Sequence, residues 1–290
     1  MAQLIDGKAI AAEIRARVKR EVDELRSQGQ TVRLVSVLVG KPEAAEIYSQ
    51  SQARCCAEVG IQFKLQALPE TETLSEIKSA IEKLNRDPTV NGIMLNLPLP
   101  PGLNESELQY YIDPHKDVEG VNPANIGFVF YGRPIIAPCT ALSVLEILKH
   151  LGQTFEGQDV VIVGQGAIVG RPITLFLLQE LATVTACHEA TRDLKRHTAQ
   201  ADVLIVAVGK PGLITGDMVK KGAVVIDIGI NRIKEPGGGN RIVGDVDFHS
   251  VSPVASVLTP VPGGVGPVTV SILLRNTVQA AQEQQARRNR

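Results

Sequence analysis

The chain has 290 residues, 44% of them hydrophobic and 21% charged, with 31 acidic against 30 basic side chains for a formal net charge of -1. That length supports two cores of ordinary domain size, and the charge balance offers no general attraction to nucleic acid or an anionic membrane. No run of roughly 18 apolar residues occurs, and the first residues lack a basic stretch followed by an apolar core, so neither a membrane span nor a secretion signal is expected. The expected setting is the cytoplasm. Cys55, Cys56, Cys139 and Cys187 have neither zinc-finger nor secreted-disulfide spacing and read as reduced thiols, and the scattered histidines suggest no structural metal.

From the N-terminus, Ile10, Ile14, Val18, Val22 and Leu25 recur at helical spacing and predict a helix ending near Gly29. Leu34 to Val39 reads as a buried strand, 44 to 59 as a helix, and 62 to 68 as extended chain. Thr73-Leu74-Ser75-Glu76 is a capping box opening a helix to about Arg86. A strand over 92 to 97 then meets three prolines, which lack amide donors. The stretch 120 to 138 reads as irregular and 140 to 151 as a helix. A second strand-helix series follows, with apolar strands at 160–163, 183–187, 203–208 and 224–228, as a parallel sheet covered on both faces requires. Pro236 to Gly239 reads as a tight turn. A last helix over 268 to 282 is expected to return to the first domain. The fold class is therefore α/β: an N-terminal α/β domain (1–139 and 268–290) and a Rossmann-type doubly wound domain (140–267).

The most informative junction is the strand Val160-Val161-Ile162-Val163 breaking into Gly164-Gln165-Gly166-Ala167-Ile168-Val169-Gly170. Glycines let the backbone turn sharply and approach a pyrophosphate, while the start of the next helix attracts its charge. Glu189, just after His188 at the tip of the second strand, stands where an acidic residue binds the ribose hydroxyls of NAD. The competing reading is a cap for a helix starting near Thr191.

Several blocks together resemble the methylenetetrahydrofolate dehydrogenase/cyclohydrolase family: Tyr48, Gly92 to Pro100, Lys116-Asp117-Val118-Glu119-Gly120, Pro138-Cys139-Thr140, the Gly164 loop, Gly229-Ile230-Asn231, Gly244-Asp245-Val246 and Pro260 to Pro267. The resemblance covers nearly the whole chain. It implies hydride transfer from 5,10-methylenetetrahydrofolate to a nicotinamide, usually followed by hydrolysis of the methenyl product at the same site, in a homodimer. It also places Tyr48, Gln52, Asn96 and Asp117 as the catalytic group and Tyr48, Leu95, Leu97, Asp117, Pro262, Gly263, Gly264 and Gly266 around the folate. Asp117 is expected to hold the pterin edge, and the glycines of 263 to 266 to close over the substrate. Gly164, Gln165, Gly166, Ile168, His188, Glu189 and Ile230 are placed around the dinucleotide, with Ile230 expected on its nicotinamide side.

The chain departs from the family pattern at two places. Gln52 stands where the family has a lysine four residues after the tyrosine, and the shorter Asn96 replaces that lysine's glutamine partner. A neutral amide does not titrate near neutrality or act as a base, so cyclohydrolase activity is expected to be weak or absent. Gln165-Gly166 and His188-Glu189 replace the arginine-serine and histidine-serine that favour the 2'-phosphate of NADP. A carboxylate facing that phosphate favours NAD instead, with Arg171 or Arg192 as the cations able to rescue NADP. Two alternatives remain: the usual bifunctional NADP enzyme, and a silent family member that only binds a nucleotide.

Overall fold

The computed structural model describes residues 1–40, 43–234 and 238–289, with the backbone alone described at 43–48. The expected turn at Pro236 to Gly239 falls largely on 235–237, outside the described residues. In chain order the first elements are β1 (Gln3–Leu4), α1 (Gly7–Ser27), β2 (Arg33–Val39), α2 (Glu43–Val59), β3 (Gln62–Leu68), α3 (Leu74–Arg86), β4 (Gly92–Leu95), α4 (Glu105–Tyr111), α5 (Pro123–Phe130) and α6 (Cys139–His150). They are followed by β5 (Asp159–Val163), α7 (Gly170–Gln179), β6 (Thr183–Cys187), α8 (Leu194–Thr198), β7 (Val203–Val206), β8 (Val224–Asp227), β9 (Asn231–Lys234), β10 (Asn240–Val243), α9 (Phe248–Val251), β11 (Val257–Leu258) and α10 (Val265–Arg288).

Two compact units result, Ala12–Cys139 with Val270–Arg290, and Met1–Ala11 with Thr140–Thr269. The opening residues, expected in the first domain, therefore belong with the second. The reason is β1, which pairs in parallel with β11 through Gln3 opposite Val257. A two-residue strand carries no hydrophobic period, so no sequence signal announced it.

In the first unit a parallel sheet runs in the order β3-β2-β4. The central strand β2 is buried from Leu34 to Val39, whereas the edge strand β3 leaves most of its residues partly or fully exposed. The α3 capping box forms as expected, with the Thr73 side chain and Glu76 exchanging hydrogen bonds. One turn apart, Ile77, Ile81 and Leu84 are buried on a single face, worth roughly 1.5–3 kcal/mol each. The far end of α3 is closed by Lys116, a buried ammonium that donates to the Leu84 carbonyl at 2.9 Å and to the Asp87 carbonyl at 2.7 Å. Burial holds its pKa below the usual lysine value. Strand β4 ends at Leu95, short of the expected Leu97, because the prolines that follow have no amides to extend the ladder.

The region 120 to 138, expected to be irregular, contains α5, with Asn122 as its N-cap and Pro123 in the first turn. Its eight residues include Gly127 and leave Phe128 and Phe130 exposed, so no amphipathic stripe marked it. Helix α10 returns to this unit as expected: the Asn276 amide donates to the Val118 and Ala137 carbonyls at 2.9 and 3.0 Å.

The second unit holds a six-stranded parallel sheet in the order β1-β11-β8-β7-β5-β6, beside an antiparallel pair, β9 and β10. One register row, Cys187, Val163, Val206 and Asp227, marks the carboxyl edge. Gly164, His188, Ala207 and Ile228 therefore leave the sheet side by side, at the edge where open α/β sheets bind ligands.

Candidate active site

The carboxyl edge of the second unit carries the residues expected around a dinucleotide. At Gly164, φ is +107°, and a Cβ there would overlap the Ala207 carbonyl; a Cβ at Gly170 would overlap the Gly164 carbonyl. Bare backbone is thus a packing requirement of this turn. It leads into α7, whose N-terminus has no side-chain cap and so leaves amides for an anion. A glycine cradle at an uncapped helix start fits a pyrophosphate. The Gln165 amide lies back along the turn, accepting from Thr174 and donating to the Ile162 carbonyl, each at 3.4 Å. Gly166 and Ile168 are exposed on the loop.

His188 and Glu189 are exposed just beyond β6, beside the loop, where the Gly164 N–H donates to the Cys187 carbonyl at 2.9 Å. The helix that follows begins at Leu194, and its cap is Asp193, which accepts from the Arg196 N–H. The capping alternative for Glu189 is thereby replaced, since another carboxylate performs it. Ile230 follows β8 and is 71% exposed. The Pro262-Gly263-Gly264 turn closes with the Gly264 N–H donating to the Pro260 carbonyl at 2.8 Å. Helix α10 starts at Val265, three residues before its expected start, so Gly266 lies in a helical first turn and not in a loop.

The first unit carries the other expected group around the end of β4. Tyr48 lies in α2, and its side chain is outside the described residues. One turn later Gln52 is fully buried; its amide nitrogen meets the Met94 sulfur at 2.9 Å, and its Oε1 has no partner. Asn96 is spent on the sheet. Its Nδ2 donates to Ser36 Oγ at 2.6 Å and to the Val37 carbonyl at 2.9 Å, and its Oδ1 accepts from Ser49 Oγ at 3.3 Å. Leu95 is buried and Leu97 exposed.

Asp117, expected on the pterin edge, is likewise committed to its own loop. Its carboxylate accepts from the Asn122 N–H at 2.7 Å, Asn125 Nδ2 at 3.0 Å and the Gly120 N–H at 3.1 Å, with the Val121 N–H as a further donor. That fills the roughly four acceptor positions of a carboxylate, and only 1% of the residue is exposed. Burial raises its pKa, against the pull of these donors. The carboxyl group that sequence reasoning passed over is Glu119. It is partly exposed, receives the Leu95 N–H, and is pushed up to about 8 by burial and then by the Asp117 charge. Its place two residues after Asp117 in the same block was the available signal.

Among the described residues no group of three His, Cys, Asp or Glu is placed to hold a metal ion, and no helix is long and apolar enough to cross a membrane.

Residues 5–119 match the family model for the tetrahydrofolate dehydrogenase/cyclohydrolase catalytic domain, and residues 138–285 match the model for the NAD(P)-binding domain of the same enzymes. The chain belongs to the tetrahydrofolate dehydrogenase/cyclohydrolase family. Among its relatives in this family is the bifunctional protein FolD of Moorella thermoacetica, 47% identical over 97% of this chain and 99% of that protein. The bifunctional FolD structure from Campylobacter jejuni superposes with a TM-score of 0.93 at 43% identity, covering 98% of this chain and 99% of that one. The FolD of Trypanosoma brucei, solved with NADP and an inhibitor, gives 0.92 at 36% identity, covering 97% and 98%. In the family's division, Gln52, Asn96, Asp117 and Glu119 fall in the catalytic match and the Gly164 loop in the NAD(P)-binding match.

Proposed function

We propose that the chain oxidises 5,10-methylenetetrahydrofolate to its methenyl cation, with NAD favoured over NADP as the hydride acceptor. The observation that carries this reading is the glycine cradle at the uncapped start of α7, in a chain of this family. A bound nicotinamide supplies the two-electron chemistry. The protein's task is alignment: the methylene carbon loses a hydride and becomes a cation stabilised by its neighbouring nitrogens, and no proton has to be moved. A buried neutral Gln52 does not hinder that step. The NAD preference rests on Glu189, exposed and not used as a cap, and on the uncharged Gln165.

The relatives named bifunctional favour a second step, hydrolysis of the methenyl cation to 10-formyltetrahydrofolate. In that step water adds to the cationic carbon and gives up a proton, and then a carbon–nitrogen bond breaks with proton transfer to nitrogen. Such work gains from a titrating group. Gln52 cannot titrate, and the Asn96 amide is occupied by Ser36, Val37 and Ser49, so this second activity is proposed to be present at a reduced level. With substrate and either dinucleotide, the methenyl chromophore should accumulate, because its enzyme-dependent decay is much slower than its formation; decay as fast as formation, so that no methenyl species builds up, would restore the fully bifunctional reading.

Glu119, and not the saturated Asp117, is proposed as the carboxyl group offered to the amino-pyrimidine edge of the folate. That edge presents N–H donors, so the ionised form is the better partner. With the free-enzyme pKa near 8, the carboxyl is mostly protonated at pH 6 and ionises as pH rises. The kcat/KM for the folate should therefore climb with a midpoint near pH 8 and level off above about pH 9. Glu119→Gln should remove that rise; a profile identical to the unsubstituted enzyme would exclude Glu119 as its source. The enzyme is further proposed to work as a homodimer in a reducing cytoplasm, the second point supported by four cysteines that are in no disulfide, three of them buried.

A further inference from the structure

Two sequence blocks of the second unit, Gly229-Ile230-Asn231 and Gly244-Asp245-Val246, interlock at the carboxyl edge of the sheet. Asp227, the last residue of β8, accepts from the N–H groups of Gly229 at 2.9 Å, Asp245 at 3.0 Å and Val246 at 3.0 Å. Asp245 accepts in turn from the N–H groups of Val208 at 2.6 Å and Gly209 at 3.0 Å, and from Asn231 Nδ2 at 2.8 Å. The glycines are reciprocal. A Cβ on Gly229 would overlap the Asp245 carboxylate, and one on Gly244 would overlap that of Asp227. Both carboxylates are buried, at 3% and 0% exposure, and their acceptor sites are filled mostly by backbone amides.

The consequence is mechanical. The chain leaving β7 and the chain leaving β8 hang on one carboxylate, that of Asp245. Asn231 is the single side-chain donor among these three partners, and Asn231 directly follows Ile230, whose side chain stands exposed at the edge that continues to Gly164 through β7 and β5. Without the tie, the segment 229–231 would keep only the Gly229 bond to Asp227 from this network.

We infer that Asp245 is a positioning residue for the nicotinamide half of the dinucleotide, holding the exits of β7 and β8 together through Val208, Gly209 and Asn231 and so fixing where Ile230 is presented. This rests on the dinucleotide-dependent reading given above. The adenosine and pyrophosphate half, held at the Gly164 loop, does not depend on the tie.

The test is a charge-placement cycle read by calorimetry with NAD and, separately, with ADP, which lacks the nicotinamide. Asn231→Asp sets a second carboxylate against Asp245, and should weaken NAD about tenfold while leaving ADP within about twofold, the size expected for losing one charge-assisted bond. Asp245→Asn combined with Asn231→Asp restores a matched pair, since the new asparagine can accept from Val208 and Gly209 and donate to the new aspartate; NAD affinity should recover. Asn231→Ala, which only removes the donor, should act in the same direction as Asn231→Asp and serves if that variant does not fold. NAD affinity unchanged in Asn231→Ala, or NAD and ADP weakened alike, would overturn the inference. Turnover of 5,10-methylenetetrahydrofolate by the unsubstituted protein is measured alongside; its absence would count against the proposed function, while the binding cycle still decides the role of Asp245.

Discussion

Replacing Gln52 by lysine together with Asn96 by glutamine is expected to raise the rate of methenyl hydrolysis by about 100-fold, within the range that a positioned acid-base group supplies. The position is suited to it. Gln52 is fully buried, so a lysine there would be desolvated and its pKa lowered toward neutrality, where it can exchange protons with water and with the folate nitrogens. Burial also brings a cost, and the melting temperature should fall by a few degrees for an added charge without full solvation. The single Gln52→Lys change should give a smaller gain, because Asn96 would remain fastened to Ser36 and Val37 and would not turn to meet the new amine. Dehydrogenase turnover should change little, since hydride departure needs no proton transfer. Stopped-flow decay of the methenyl absorbance measures the effect; a double variant that folds and hydrolyses no faster than the parent would show that neither position limits this step.

The second large effect concerns the dinucleotide. Gln165→Arg with Glu189→Ser should shift the NADP-to-NAD ratio of kcat/KM by about 100-fold toward NADP, from one new guanidinium–phosphate bond and the removal of one repelling carboxylate. The Gln165 side chain rests against Thr174 and Ile162 through bonds of 3.4 Å, long enough that an arginine gives up little by swinging outward. Glu189 is exposed and leaves helix capping to Asp193, so its loss should not loosen α8. A ratio that stays fixed in the double variant would mean that other groups choose the cofactor, with Arg171 and Arg192 the first to test.

How much of this was legible in the sequence varied with the physics involved. The central strands β5, β7 and β8 of the second sheet are apolar except for Asp159 and Asp227 at their ends, and the α3 capping box is a local signal that needs no tertiary partner, so both were readable from residue order alone. Helix α5 was not, because eight residues with an internal glycine carry too little periodicity, and β1 exists only through β11. At the candidate site, the resemblance to the family identified Gln52 and Asn96 as departures from its pattern. They did not reveal that Asn96 is fastened into the sheet, nor that Asp117 has no acceptor left. Those facts depend on Ser36, Asn122 and Asn125, whose hydrogen bonds follow from how strands and loops come to rest. Glu119 stood in view beside Asp117, and the choice between two neighbouring carboxylates required knowing which one its loop had already used.

Lys116 gives the first unit a built-in reporter. Because its amine is shut in beneath the last turn of α3, reagents that acylate surface lysines should spare it while that end of the helix stays closed. Labelling there would then record each opening of the segment that carries Asp117 and Glu119, so mass spectrometry of one peptide can show whether a ligand steadies that loop.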